Sequence, residues 1–241
     1  MLLLAFETSA KAASVALSRD GILLGEAYQN TGLTHSQTLL SMAQSLIDHC
    51  GYTPQQIEGI AVAAGPGSFT GIRIGVAAAK GFAWGAELPC WGVSTLEAMA
   101  LNLGIHQGFV AAVMDARRNQ VYNALFRAEN GTLTRVSEDR AIALTDLQAQ
   151  LETLDGPIYL VGDGSDLTWR TLQEKLPNLV LAPEHRRHQR AAGVALAAQC
   201  RIQAGDPGDA AQLKPNYLRL SQAERERLEK ENLLQGDKKN G

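Results

Sequence analysis

The 241-residue chain predicts an α/β fold made of two tandem β-β-β-α-β-α units. Three observations predict it. An apolar strand ends in one carboxylate twice, Leu2 to Phe6 before Glu7 and Phe109 to Met114 before Asp115, each with a short polar loop and a second strand behind it. Both second strands then turn on a hairpin dipeptide, Asp20-Gly21 or Asn130-Gly131, pairs that tolerate the positive φ angles of a two-residue turn. The carboxylate-to-glycine offset is 14 residues in the first copy and 16 in the second. A fold built twice places a cleft between its copies, and the two acidic loops are expected to look into it.

The elements follow in order. Thr34 opens a helix with Gln37 at the capping-box position, and the helix runs to about Cys50. Leu39, Ala43, Leu46 and Cys50 recur at spacings of four and three, with Leu40 and Ile47 beside them, so one broad stripe is apolar. Gly51 is its stop signal. A Pro54 turn leads to a buried strand, Ile60 to Ala64, then to a glycine-rich bend and a second helix ending near Trp84. Strand Cys90 to Val93 precedes a helix capped by Ser94 with Glu97.

The second half repeats the order, with three strands, a helix from Thr145 (Gln148 at the capping-box position), strand Ile158 to Val161 and a helix after Asp166. A short strand, Leu179 to Leu181, and a helix from about Gln189 to Ala204 complete it. With the join near Gly104 to Gly108, the expected division is 1–105 and 106–220. Beyond Leu220 the composition changes: Glu224 to Glu231 is almost all charged, so 221–241 reads as an exposed helix end that frays from Gly236 onward.

Composition narrows the function. Apolar residues make up 45% of the chain, enough for a full core in each lobe and far from a disordered composition. The apolar run Met1 to Phe6 lacks a basic leader and is stopped by Glu7, too short for a signal peptide or a membrane span, so no membrane association and a cytoplasmic location are expected. Cys50, Cys90 and Cys200 are far apart and odd in number, which suggests neither a disulfide framework nor a zinc motif. A formal charge of −3 gives no global attraction to nucleic acid. Contact with RNA would be local or pass through a partner.

The bend Gly65-Pro66-Gly67-Ser68-Phe69-Thr70-Gly71 stands between a strand and a helix, where phosphate loops occur. It fails as one in detail. A Walker loop ends in Gly-Lys-Ser/Thr, and the next lysine is Lys80, deep in the helix. In a dinucleotide fingerprint the third glycine would come one place earlier than Gly71. Gly71, Gly75, Ala79 and Ala83 then fall every fourth residue and give a helix face almost without side chains. Each glycine costs about 1 kcal/mol against alanine in a helix interior, so a close approach must compensate. Either the face packs on the helix from Thr34, or both helices also offer surface to a second protein.

The Gly65 to Gly75 run, Phe6-Glu7-Thr8-Ser9, Met114-Asp115-Ala116-Arg117 with Gln120-Val121-Tyr122, and Pro215-Asn216-Tyr217-Leu218-Arg219 together resemble the bacterial TsaB (YeaZ) family, in order over residues 1–220. The resemblance implies the duplicated actin/Hsp70/sugar-kinase-like (ASKHA) fold, in agreement with the tandem units. It implies a role in threonylcarbamoylation of the adenosine 3′ of the anticodon in tRNAs reading A-starting codons. It further implies a non-catalytic activating or scaffold subunit that dimerises with the related TsaD transferase through the two helices of its first lobe. A TsaE ATPase joins that assembly, and tRNA is reached indirectly through the complex. No cofactor, metal or catalytic residue is then expected on this chain, ATP and a metal ion belonging to the partner subunits. The partner-binding positions so implied are Leu39, Leu40, Ala43, Leu46 and Ile47 on the first helix and Phe69, Gly71, Arg73, Gly75 and Ala79 on the second.

Residue chemistry agrees with a poor catalyst. The related transferase holds its metal with a His-x-x-x-His helix, whose spacing puts both imidazoles on one face. Here the corresponding helix carries His35, and His49 follows 14 residues on, about 21 Å along a helix axis where zinc needs ligands at about 2 Å. Phosphate loops of this fold class use glycine-rich turns beside a magnesium-orienting aspartate. The turn after Glu7 is Thr8-Ser9-Ala10-Lys11, and Asp115 is followed by Ala116, Arg117 and Arg118, so the cleft is degenerate in both copies. Glu7 and Asp115 are expected to face each other with Arg117 neutralising the pair and locking the lobes. Gly162-Asp163-Gly164 would lie where this fold class approaches adenosine, although a strand-ending turn explains Gly162 and Gly164 equally well.

Two other functions compete. Glu7 and Asp115 alone would suit an ATP-dependent kinase or acyl transferase of the same fold. An RNA-binding module would rest on Glu184 to Arg190, but that cluster lacks interleaved aromatics and reads as a solvated basic loop. Without a partner, the apolar stripe of the first helix is expected to allow a homodimer.

Overall fold

The computed structural model describes residues 1–104 and 107–219; Ile105, His106 and the stretch from Leu220 onward, with the expected charged domain 221–241, lie outside the described residues. Strand β1 (Leu2–Glu7) is apolar until its last position because both its faces are covered. Leu2, Leu4 and Phe6 enter one core layer and Leu3 and Ala5 the other, as strand alternation requires. It pairs antiparallel with β2 (Ala13–Arg19), which pairs with β3 (Ile22–Gln29). The turn between the last two uses Asp20 and Gly21 at φ 51° and 82°, as the dipeptide predicts. On the other side of β1, β4 (Gly59–Gly65) and β5 (Cys90–Ser94) run parallel, giving the order β3-β2-β1-β4-β5.

The second sheet repeats the first. Strands β6 (Gln107–Asp115), β7 (Gln120–Glu129) and β8 (Thr132–Arg135) form its antiparallel part, with Asn130 and Gly131 at φ 51° and 81°. Next comes β9 (Arg140–Ala143), which the sequence did not announce. It pairs with the start of β7 while β8 pairs with its end, so two short strands take the place of β3. With β10 (Ile158–Val161) and β11 (Leu179–Leu181) the order is β11-β10-β6-β7-β8.

The helices are α1 (His35–His49), α2 (Phe69–Gly85), α3 (Thr95–Leu103), α4 (Leu144–Leu151), α5 (Ser165–Leu172), α6 (Glu184–Arg187) and α7 (Ala191–Gln203). Ser94 caps α3 as expected, its hydroxyl accepting the Glu97 amide at 3.2 Å. Two capping boxes are absent. Thr34 makes no side-chain cap, and α4 begins one residue before Thr145 with Ala143 at its cap. Among the described residues no helix is long and apolar enough to cross a membrane.

Helices α1 and α2 cover one face of the first sheet, and α4 and α5 one face of the second. The inner faces are covered by exchange. Leu96, Met99, Ala100 and Leu103 of α3 pack on Val110, Ala112, Met114 and Phe126 of the second sheet. Ala191, Val194, Ala195 and Ala198 of α7 pack on Leu3, Ala5, Ala16 and Ala61 of the first. The two helices cross so closely that a Cβ on Gly193 would collide with the Ala98 carbonyl. A buried Leu or Met contributes about 1.5–3 kcal/mol, so neither sheet gives up its exchanged helix cheaply. The division at 105/106 therefore separates the sheets but not the lobes, since α7 belongs to the first lobe by packing and α3 to the second.

Candidate functional site

A cleft of about 810 Å³ opens between the lobes, lined by residues 9–11 after β1, the end of β6, the bend and first turn of α2, Asp163 after β10, and residues 216–219. Glu7 closes β1 and is 1% exposed. Its Oε1 accepts the Ser9 amide at 2.5 Å, while Oε2 has no hydrogen-bond partner among the described residues. Burial pushes its carboxyl up to about 7, the Ser9 bonds offset part of that, and Asp163 adds to it. The next two residues are bound into the lobe as well. Thr8 donates its hydroxyl to the Gly71 carbonyl at 2.7 Å, and the Ser9 carbonyl accepts the Ser68 amide at 2.6 Å.

The expected lock does not form. Asp115 is exposed and accepts the Arg117 amide at 2.7 Å, and Arg117, Arg118 and Asn119 follow in left-handed conformations at φ 62°, 56° and 56°. Arg117 lines the cleft, but its guanidinium pairs with neither Glu7 nor Asp115 among the described residues. The acidic neighbour of Glu7 is Asp163 instead. Asp163 is open to the cleft yet hemmed in enough that burial raises its carboxyl above the usual range, against the Gln189 bond at 2.7 Å and with Asp115 adding to the rise. Gly162 and Gly164 owe their size to packing: a Cβ on the first would meet the Val113 carbonyl, and on the second the Met114 carbonyl carbon at 2.8 Å.

The small face of α2 is divided between two neighbours: its glycines meet the end of β1, and Ala79 and Ala83 share a core with α1. A Cβ on Gly71 would collide with the Thr8 carbonyl and one on Gly75 with the Thr8 hydroxyl, so these two glycines admit the end of β1. Ala79 is buried in the same core, as are Leu39, Ala43, Leu46 and Ile47 of α1. Seven of the ten positions expected to bind a partner therefore face their own lobe. Leu40 is exposed at 54%, Arg73 is exposed and Phe69 half-buried. The outward stripe of α2 is Thr70, Arg73, Ala77, Gly81 and Trp84, and nothing lies within 4 Å of a Cβ built on Gly81.

Sequence reasoning missed the role of Pro215 to Arg219. The Asn216 amide donates to the Ala64 carbonyl at 2.7 Å, and Tyr217 stacks on Phe69 with ring centroids 4.4 Å apart. Arg73 lies 3.8 Å over the Phe69 ring and donates to the Tyr217 hydroxyl at 2.8 Å. Arg219 crosses to the other lobe and donates to the Ala116 carbonyl at 2.6 Å. The segment clasps both lobes at the cleft. The run Pro215 to Arg219 stood out in the sequence as part of the family resemblance, but nothing in it announced a contact with both lobes.

The stretch Glu184 to Arg190 is not a solvated loop. It contains α6, and its arginines are tied down: Arg186 to the Leu103 carbonyl, Arg187 to Asp166 and Glu184, and Arg190 to Glu26 at 2.8 Å. Glu26 also accepts the Ala192 amide at 3.1 Å, which holds the start of α7 against β3.

Residues 29–226 match a family model described as TsaD, tRNA N6-adenosine threonylcarbamoyltransferase. The tRNA threonylcarbamoyladenosine biosynthesis protein TsaB of Bacillus subtilis is 33% identical over 95% of this chain and 99% of its own length. The chain belongs to the TsaB family. The TsaB protein of Escherichia coli is 36% identical over 68% of this chain and 72% of its own length. The solved structure of YeaZ from Pseudomonas aeruginosa superposes with a TM-score of 0.73 at 27% identity, covering 90% of this chain and 99% of that one. TsaB proteins act in tRNA threonylcarbamoyladenosine biosynthesis, and the twin sheets with their shared helices are the ASKHA fold.

Proposed function

We propose that this chain is a non-catalytic activating subunit in tRNA threonylcarbamoyladenosine formation, working by pairing with a TsaD-type transferase of its own fold. The observation that carries the reading is the outward stripe of α2. Ala77 and Gly81 leave a flat strip between Arg73 and Trp84, and the glycine has no neighbour in its own lobe to explain its cost. A partner helix laid on that strip comes close to the backbone, with Leu40 and Trp84 as apolar flanks, exposed at 54% and 62%. The loop after Glu7 supports the absence of catalysis, because the Ser9 amide is spent on Glu7 and Thr8 on Gly71. ATP and a metal ion then act on the transferase and on a TsaE-type ATPase that joins the pair in the cytoplasm. Without partners, the same apolar flanks hold two copies of this chain together.

The test is Gly81→Leu, with Gly81→Ala as control. We expect the leucine variant to fold, to stop copurifying with the transferase and to lose tRNA modification in a mixture of the purified subunits, while alanine retains most of both. Undiminished association of the leucine variant would sink the reading. Full modification by the isolated chain, or tight Mg-ATP binding to it by calorimetry, would favour the kinase or acyl-transferase alternative.

A further inference from the structure

Fold packing gathers cations that are far apart in the sequence. Lys11 follows β1, Arg73 is on α2, Arg117 follows β6 and Arg219 belongs to the C-terminal segment, yet all four line the interlobe cleft. Arg127, Arg135, Arg187, Arg190 and Arg201 are each spent on a carboxylate. Lys11, Arg73, Arg117 and Arg219 form no ion pair among the described residues. The cleft's own carboxylates are engaged elsewhere, Asp115 by the Arg117 amide and Asp163 by Gln189. Four cations against two carboxylates is a local excess of positive charge in a chain whose formal charge is −3.

Three further features share the cleft. Tyr217 is 39% exposed and lies with Phe69 and Arg73 in one aromatic and guanidinium stack. The start of the 17-residue α2 faces the cleft, and the Phe69 and Thr70 amides have no acceptor among the described residues. Ser9, fully buried, stands at the edge of the same space beside Glu7. Planar guanidinium forks, an aromatic surface and a helix N-terminus form the recognition set for phosphates carrying stackable bases.

We infer that the cleft mouth formed by Lys11, Arg73, Arg117, Arg219 and Tyr217 binds the backbone of single-stranded RNA, so that tRNA touches this chain directly within the modification complex. The inference rests on the proposed function and deepens it. An acidic protein segment would use the cations but not Tyr217, and the clustering of all five favours RNA.

The test is fluorescence anisotropy with an unmodified transcript of a tRNA reading A-starting codons, using the full chain and its complex with the transferase. The variants are Lys11→Gln with Arg117→Asn, asparagine being chosen because it tolerates the left-handed backbone of position 117. Removing two phosphate contacts lowers the slope of log K against log salt by about 1.4, equivalent to about 25-fold weaker binding at about 0.1 M salt. Tyr217→Leu is expected to weaken binding with the salt slope unchanged. Lys175→Gln, at a lysine bonded to Gln148 beside α4, should change neither. Undiminished tRNA affinity of the double variant, in a complex that still assembles, overturns the inference and leaves the proposed function standing. So does loss of the transferase or ATPase by the double variant with tRNA binding intact, which would assign the cleft to a protein.

Discussion

Replacing Glu7 by glutamine removes a buried group whose protonation differs between the folded and unfolded chain. In the folded protein its carboxyl is raised from 4.5 to about 7. Between those values the native state holds a proton that the unfolded chain has released. The stabilisation is fully present below about pH 4.5 and is lost as pH rises through about 7. At about 1.4 kcal/mol per unit, the gap corresponds to about 3 kcal/mol. Asp163 titrates in the same direction and is present in both proteins, so the difference between wild type and Glu7→Gln reports Glu7 together with its coupling to Asp163. The amide adds a pH-independent cost of about 1 kcal/mol where Oε2 had no partner. Urea unfolding at pH 5, 6, 7 and 8 reads the result. With an m-value of about 3 kcal/mol/M, the variant's midpoint rises by about 1 M relative to wild type across that range. Parallel loss of stability in both proteins would refute the placement of Glu7 as a buried, proton-holding carboxyl.

Two glycines on one helix should respond with opposite sign. Gly71→Ala drives a methyl into the Thr8 carbonyl and should cost about 1–3 kcal/mol, whereas Gly81→Ala meets open space and should gain about 0.5–1 kcal/mol, both read by urea midpoints. Tyr217→Ala removes the stack on Phe69 and the bond from Arg73. It should destabilise by about 1–2 kcal/mol and speed hydrogen exchange at the Asn216 amide, while Tyr217→Phe keeps most of that protection.

The two hairpin dipeptides, the doubly apolar β1 and the repeated order of elements were legible because each depends on neighbours a few residues away. The face of α2 was legible as a small-residue stripe but not as to what covers it. Periodicity says that Gly71 and Gly75 share a side, and only the fold says that Thr8 lies there. The same limit explains the missing lock: three residues after Ala116 take left-handed backbone, and nothing in an Ala-Arg-Arg run signals that turn. In the Arg186 to Arg190 stretch, local charge density suggested solvent, yet its partners Leu103 and Glu26 lie more than 80 residues away. Conversely, the cations of the cleft mouth were invisible as a group because four separate segments supply them.

The crossing of α3 and α7 makes each half of the duplicated chain dependent on the other. Severed near residue 105, the N-terminal fragment would keep its strands but leave Leu3, Ala5 and Trp91 without the helix that shelters them, and its own α3 would project without a surface to sit on. The two repeated units are thus bound by reciprocal wrapping. Neither copy can be removed without stripping the core of the other, so any change to one lobe's pocket must be accommodated within the whole pair.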